Sequence, residues 1–296
     1  EGGKDVMKMN VVVGKDGHNT MIFTGDMNQV VFAPYWNIPE EIKQKEWIEI
    51  PEGWLQGRTV FGGLVAGLLM QKACCNIQDP NKRLLSCSVT FVGPVQQGPA
   101  QLTIEILREG KSVTTLETRL WQDGAVQTIL VASFGVPRAS NIKVRHEPIV
   151  PVYRQPEELQ PIPFARQMPE CYQHFDVCWA EGHYPVTGSQ YADFGGWSRF
   201  NPNKHENRQM TLPDLIVLMD IWPPGVLPMF KQVAPASSLT WHITYVHPFQ
   251  HQLCDWFKYK VTTEYAAEGY STEYAYLWDQ NDHLIAILRQ TVTVFT

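Results

Sequence analysis

Asp220 closes the apolar run Leu215-Ile216-Val217-Leu218-Met219 and is followed at once by Ile221-Trp222-Pro223-Pro224-Gly225, where the prolines must end the helix. That is a poor place for a carboxylate. A helix C-terminus carries negative partial charge and an apolar surround disfavours ionisation, so both effects raise the pKa toward the range useful to a general base. A turn-initiating Asp ahead of Pro-Pro-Gly is the other local reading. Gln290 is a second misfit: Leu284, Ala286, Leu288, Val292 and Val294 share one strand face by alternation, and Gln290 stands in the same row. A carboxamide among aliphatics needs partners, from backbone or a buried water. Ser238 is the third candidate, with Ser237 and Thr240 as neighbouring hydroxyls able to take its place.

Ser238 gains weight only from an internal duplication. Residues 84 to 95 return 154 positions later at 238 to 249. Thr90, Val92 and Pro94 meet Thr244, Val246 and Pro248 identically, and Val89, Phe91 and Val95 meet Ile243, Tyr245 and Phe249 with apolar character kept. Leu120-Trp121 returns as Leu277-Trp278 at a slightly larger offset. In this register Ser238 corresponds to Leu84, and Gln290 to Ser133 or Phe134. Polar site chemistry is thus concentrated in the second copy, as expected if a fused ancestral dimer kept one of two sites.

The elements that must position these groups follow the same duplication. Gly57, Gly62 and Gly63 introduce a helix from Leu64 that is apolar almost all round, hence buried. Leu102, Ile104 and Ile106 alternate with Thr103 and Glu105, and runs 113 to 121 and 125 to 134 read as further strands, joined by an Asp123-Gly124 hairpin. Prolines from Pro137 to Pro169 exclude regular structure and mark a linker. The second half predicts strands at 170 to 179 and 191 to 200, a helix at 212 to 221, then strands near 238 to 247, 253 to 262, 271 to 279 and 283 to 295. One helix and several antiparallel strands per half make an α+β unit, and side by side the two sheets can form one surface with both helices on a face. Residues 1 to 45 read as an N-terminal extension with a short helix near 40 to 46, followed by a first domain at 46 to 138, a linker at 139 to 165 and a second domain at 166 to 296.

The composition of 296 residues, 44% hydrophobic and 18% charged, suits one or two soluble compact domains. A net charge of -6 with no Lys/Arg run argues against nucleic acid as partner. The six cysteines include no Cys-x-x-Cys, so neither a zinc site nor a disulfide framework is suggested, and reduced cytoplasmic thiols are the simpler expectation. No signal peptide and no membrane span are read, and a chain starting at Glu1 leaves room for an upstream piece. Hydrolase-elbow, zincin, P-loop and dinucleotide motifs are missing. His242 and His247 point to opposite strand faces by their odd spacing, and both, with His146, read as structural or exposed.

Taken in order, Val60-Phe-Gly-Gly-Leu-Val-Ala-Gly, Val89-Thr-Phe-Val-Gly-Pro-Val, Leu107-Arg-Glu-Gly-Lys-Ser-Val, Trp121-Gln-Asp-Gly and Ala132-Ser-Phe, then Gly196-Trp-Ser-Arg-Phe, Leu218-Met-Asp-Ile-Trp-Pro-Pro, Ala236-Ser-Ser-Leu-Thr and Leu288-Arg-Gln, resemble acyl-CoA thioesterases of the type II, double hot-dog superfamily. The resemblance runs from about residue 50 to 296. It implies a tandem hot-dog, with two antiparallel sheets each wrapped on a central helix and joined into one pseudo-dimeric sheet. It also implies an Asp, a Ser or Thr and a Gln, all in the second repeat, holding a water that attacks the thioester. Asp220, Ser238 and Gln290 match those positions. Asp220 would take the proton, while N–H groups near Gly62 and Gly63 could bind the oxyanion, close helix-to-sheet packing being the other reason for glycine there. No cofactor or metal is implied. The expected partners are an acyl-CoA substrate and further copies of the chain, as a homodimer or higher oligomer in cytoplasmic lipid metabolism. A hydratase of the same broad fold is the first rival, although no Asp-x-x-x-x-His occurs here; a non-catalytic acyl-CoA binding module is the second.

Overall fold

The computed structural model describes residues 46–246 and 249–295, together with the backbone of three short strands in the N-terminal extension. Those are β1 (Asn10–Val13), β2 (Asn19–Phe23) and β3 (Val30–Phe32), which form their own antiparallel sheet. Glu46 begins a strand, and residues 40–45 of the expected short helix lie outside the described residues, as does His247. The first half continues with β4 (Glu46–Ile50), the ribbon β5 (Leu55–Gln56) and β6 (Thr59–Val60), helix α1 (Gly62–Cys74), then β7 (Arg83–Phe91), β8 (Gly98–Glu109), β9 (Val113–Gln122) and β10 (Ala125–Gly135). The second half has β11 (Phe175–Gly182), β12 (Phe194–Phe200), helix α2 (Leu212–Met219), β13 (Ala236–Tyr245), β14 (Phe257–Ala267), β15 (Tyr270–Asp279) and β16 (Leu284–Val294).

All strands from β4 onward, the β5–β6 ribbon excepted, join one antiparallel sheet of order β11-β12-β14-β15-β16-β13-β7-β10-β9-β8-β4. The halves meet at β13 and β7, the duplicated segment, where Thr240 faces Thr90 and Thr244 faces Ser86. Hairpin chemistry fixes the neighbouring registers. Asp123-Gly124 and Glu268-Gly269 each place two successive residues at positive φ, the backbone that matches the twist of two flanking strands.

Period-two burial selects the face that meets the helices. In β9 Thr114, Leu116, Thr118 and Leu120 point inward, and Thr118 donates its hydroxyl to the Leu69 carbonyl of α1. The other side of α1 packs on α2. A Cβ at Gly67 would sit 2.5 Å from Val217 Cγ2, so the two helices cross in direct contact at a residue with no side chain. Leu215 to Met219 of α2 are all buried, and burial is worth roughly 1.5–3 kcal/mol for each large side chain among them. A capping box between Thr211 and Asp214, with Pro213 in the first turn, starts this short helix, and Arg208 pairs with Asp214.

Several sequence expectations shift. Glu170–His174 is a 3-10 turn rather than strand, following Pro169, and β11 starts at Phe175. β12 starts at Phe194 because Asp193 has φ +76, which breaks the extended run expected from 191. β14 runs from Phe257, after a turn at 252–254. The counterpart of Gln290 is Ala132, not Ser133 or Phe134. Ala132 lies between Cys87 and Leu116, and Gln290 between Trp241 and Glu273, with Trp241 the copy of Cys87. The shift arises because the β15–β16 turn is one residue longer than the β9–β10 turn, so Leu116 and Glu273 lie 157 apart but Ala132 and Gln290 lie 158 apart; the bulges that skip Leu85 in β7 and Leu239 in β13 occupy equivalent positions and cancel. The linker straps onto the second half: Tyr153 donates to Glu181, the Arg154 carbonyl accepts from Trp197 Nε1, and the Pro151 carbonyl from Lys258.

Candidate active site

Asp220 caps the C-terminus of α2, as its position before Pro223-Pro224 requires. The antiparallel crossing of the helices brings it against the N-terminus of α1. The Gly63 N–H donates to its carboxyl. A Cβ at Gly62 would lie 3.1 Å from Asp220 Oδ2, and one at Gly63 only 2.8 Å from Asp220 Cβ and 2.7 Å from the Phe61 ring. The paired glycines therefore admit the carboxylate, and Gly62 also lets the helix approach the sheet, since the same Cβ would lie 3.1 Å from the Phe91 ring of β7.

Ser238 and Gln290 come from adjacent strands. Ser238 donates its hydroxyl to Gln290 Oε1 at 3.2 Å. The bulge at Leu239 lets both Ser238 and Trp241 face inward, whereas Thr240 is exposed and pairs with Thr90. Thr240 is therefore not at the site, and Ser237 lines its outer wall. The second end of the Gln290 amide meets a residue that the sequence reading passed over: Nε2 donates to Glu273 Oε1 at 3.1 Å, and Glu273 Oε2 accepts from the Gly225 N–H at 2.6 Å. Glu273 lies in the row of β15 that the structure buries, with Ser271, Ala275 and Leu277.

These groups line two spaces that share Asp220, Trp222 and Gln290. A cavity of about 400 Å³ is lined by Gly62, Asp220, Ser237, Ser238 and Gln290 from one direction and by Phe91, Val92 and Thr128 of the first repeat from the other. The second, of about 20 Å³, lies among Asp220, Glu273, Gln290, Trp222, Trp241 and Tyr259, room for a single water with polar partners. The turn after Asp220 is fixed by aromatic packing: Trp222 stacks on Tyr259 at 4.9 Å and donates Nε1 to Ser198. Gly196 has no side chain to obstruct that indole, since a Cβ would sit 3.0 Å from it.

Burial pushes Asp220 up to about 7, with the Glu273 carboxylate adding to the rise and the Gly63 N–H opposing it. Two helix ends thus meet at this carboxylate, of which the local sequence reveals one. Burial also raises Glu273 to about 7, opposed by its Gly225 and Gln290 donors and reinforced by Asp193. Among the described residues no group of three His, Cys, Asp or Glu is arranged to hold a metal ion, and no helix is long and apolar enough to cross a membrane.

Profiles of the acyl-CoA thioesterase N-terminal and C-terminal domains match residues 50–135 and 156–294. The fold is that of a hot-dog protein of unknown function from Alicyclobacillus acidocaldarius, at TM-score 0.74 and 19% identity, covering 86% of this chain and 94% of that one. An acyl-CoA thioesterase II from Mycobacterium marinum aligns at TM-score 0.64 and 19% identity over 87% and 95% of the two chains. A tesB protein from Mycobacterium avium subs paratuberculosis aligns at 0.66 and 14% over 86% and 94%. The architecture is thus the tandem, double hot-dog α+β fold expected from the sequence. No curated protein sequence matches the chain.

Proposed function

The chain belongs to the acyl-CoA thioesterase family and is a thioester hydrolase, and from that premise we propose that it cleaves acyl-CoA with a water activated by Asp220, Ser238 and Gln290. The observation that carries the reading is the convergence of these three side chains, remote in sequence, on one cavity wall. The water donates one hydrogen bond to the Asp220 carboxylate and one to the Ser238–Gln290 pair, which leaves a lone pair for the thioester carbon. As the C–O bond forms, the proton passes to Asp220, and the oxyanion is met by the N–H of Gly62 in the first turn of α1, the Gly63 N–H being engaged by Asp220. Collapse of the tetrahedral adduct breaks the C–S bond, and the Asp220 proton returns to the CoA sulfur. An electrophilic thioester needs no covalent nucleophile under this scheme.

Release of free thiol from a panel of acyl-CoA chain lengths, compared between wild type and Asp220→Asn, tests the assignment. Full turnover in the variant overturns it. Hydration of an enoyl-CoA without thiol release would favour the hydratase reading, and tight acyl-CoA binding with neither reaction a binding module. The six cysteines are all free thiols, which supports a reducing, cytoplasmic setting. A homodimer or larger assembly of such chains is part of the same proposal, and light scattering tests it.

A further inference from the structure

Glu273 is an unusual residue to bury. It is 3% exposed in a row of small and aliphatic side chains, and among the described residues no cation pairs with it in the way a buried carboxylate ordinarily requires. Its position in the first repeat is taken by Leu116, which is fully buried, so the sheet does not need a carboxylate at this point to pack. Both of its oxygens are occupied by donors: Oε2 by the Gly225 N–H, Oε1 by Gln290 Nε2.

This arrangement has a directional consequence. Above its pKa of about 7 the Glu273 carboxylate is ionised and can only accept hydrogen bonds, so in that state the Gln290 amide must present its NH2 to Glu273 and its carbonyl toward Ser238. A flipped amide would set oxygen against oxygen. The Gly225 bond ties down the Pro223-Pro224-Gly225 turn that follows Asp220, and Glu273 lines the same small space as Asp220 and Gln290.

Resting on the hydrolytic reading above, we infer that Glu273 is a positioning residue: its carboxylate fixes the orientation of the Gln290 amide, tethers the turn behind Asp220 and places a negative charge beside that base. Asp220 is faced by Glu273 from β15, by Tyr259 from β14 and by Cys171 and Tyr172 from the turn before β11. Glu273 is faced by Asp220, by Asp193 from the loop before β12, by Tyr259 from β14 and by Gln290 from β16. Burial keeps Cys171, Tyr172 and Tyr259 neutral near pH 7, so the charged neighbours are carboxylates alone. Glu273 is one of the causes that hold Asp220 high, and neutralising it lowers the pH at which Asp220 gives up its proton.

The test combines Glu273→Gln and Glu273→Asp. The pH profile of kcat/KM for thiol release is measured for each, and the Asp220 carboxyl of the unliganded protein is titrated by 13C NMR, assigned with Asp220→Asn. Glu273→Gln should lower kcat roughly ten- to a hundredfold and move the acidic limb and the Asp220 titration to lower pH. Glu273→Asp keeps the charge but withdraws its reach, so kcat should fall while the acidic limb stays nearer the wild-type position. An unchanged kcat in Glu273→Asp, or an unmoved Asp220 titration in Glu273→Gln, overturns the role. If Glu273→Gln does not fold, the Glu273→Asp arm still decides. A wild type that hydrolyses no acyl-CoA would sink the hydrolytic reading, while the NMR titration would still decide the coupling between the two carboxylates.

Discussion

Ser88 Oγ lies 2.8 Å from His242 Nδ1 across the central strand pair, and the two residues, 154 apart, are the same position of the two repeats. The flanking pairs Thr90 with Thr240 and Ser86 with Thr244 exchange in the same way, so a pseudo-two-fold axis passes between Ser88 and His242. The axis makes the asymmetry of the site concrete. Applied to Ser238, Glu273 and Gln290 it lands on Leu84, Leu116 and Ala132, none of which is more than 1% exposed. A fused dimer can fill one of its two equivalent sites with aliphatic packing because the other carries the polar groups, which are costly to bury.

Asp220→Asn should reduce thiol release by about 10²- to 10⁴-fold, the usual worth of a positioned base. It should also stabilise the protein. The folded-state pKa of about 7 exceeds the ordinary 3.8, so between those values the folded chain holds a proton the unfolded chain has released, and stability falls as pH rises through that window. Above pH 7 the deficit is complete, on the order of a few kcal/mol. Asn removes the charge and can still accept from Gly63, so its gain in Tm over wild type should be larger at pH 8 than at pH 5. Equal Tm differences at both pH values would contradict the raised pKa.

The wild-type pH profile follows from the same group. A base with a pKa of about 7 is protonated and idle below that pH, so kcat/KM should rise tenfold per unit on the acidic side and level off above about 7. A limb near pH 4 would mean that Asp220 is an ordinary solvated carboxylate.

Much of this was legible in the sequence because it is local or repeated. The 154-residue repeat located the seam, the proline stop placed Asp220 at a helix end, and period two put Gln290 on the buried face. What was not legible depends on pairing. The Gly63 contact to Asp220 requires the N-terminus of one helix to meet the C-terminus of another, 157 residues away in the chain, and no local pattern encodes that crossing. Glu273 alternates with Thr272, Tyr274 and Tyr276, so its strand reads as polar on both faces until the register with β16 shows which row is covered. The counterpart of Gln290 shifts because the β15–β16 turn holds one residue more than the β9–β10 turn, and which residues the turn takes up depends on where the paired strands end.

Ser238 and Thr240 offer a paired control. Ser238→Ala removes the donor to Gln290 Oε1 and should cut kcat about tenfold or more. Ser238→Thr retains the hydroxyl and should keep most activity. Thr240→Ala, on the exposed face opposite Thr90, should leave kcat within about twofold. If Thr240→Ala were the damaging change, the register of β13 drawn from the Leu239 bulge would be wrong.

The glycines at the start of α1 permit the sharpest geometric prediction. A methyl group at Gly63 would sit 2.8 Å from Asp220 Cβ and 2.7 Å from two atoms of the Phe61 ring, closer than side-chain carbons approach. Phe61 is fully buried and Asp220 is held by the helix it caps, so neither has a free direction in which to retreat. Overpacking of this kind costs about 1–3 kcal/mol and here displaces the base, so Gly63→Ala should lower both Tm and kcat. At Gly62 the contacts are 3.1 Å to Asp220 Oδ2 and to the edge of Phe91, and a rotation of the carboxylate can absorb them. Gly62→Ala should therefore fold nearly as well as wild type yet lose activity, because its methyl group intrudes on the cavity wall beside the reacting water. Tm and kcat measured for both variants check the pair; equal losses of stability at the two positions would contradict the geometry.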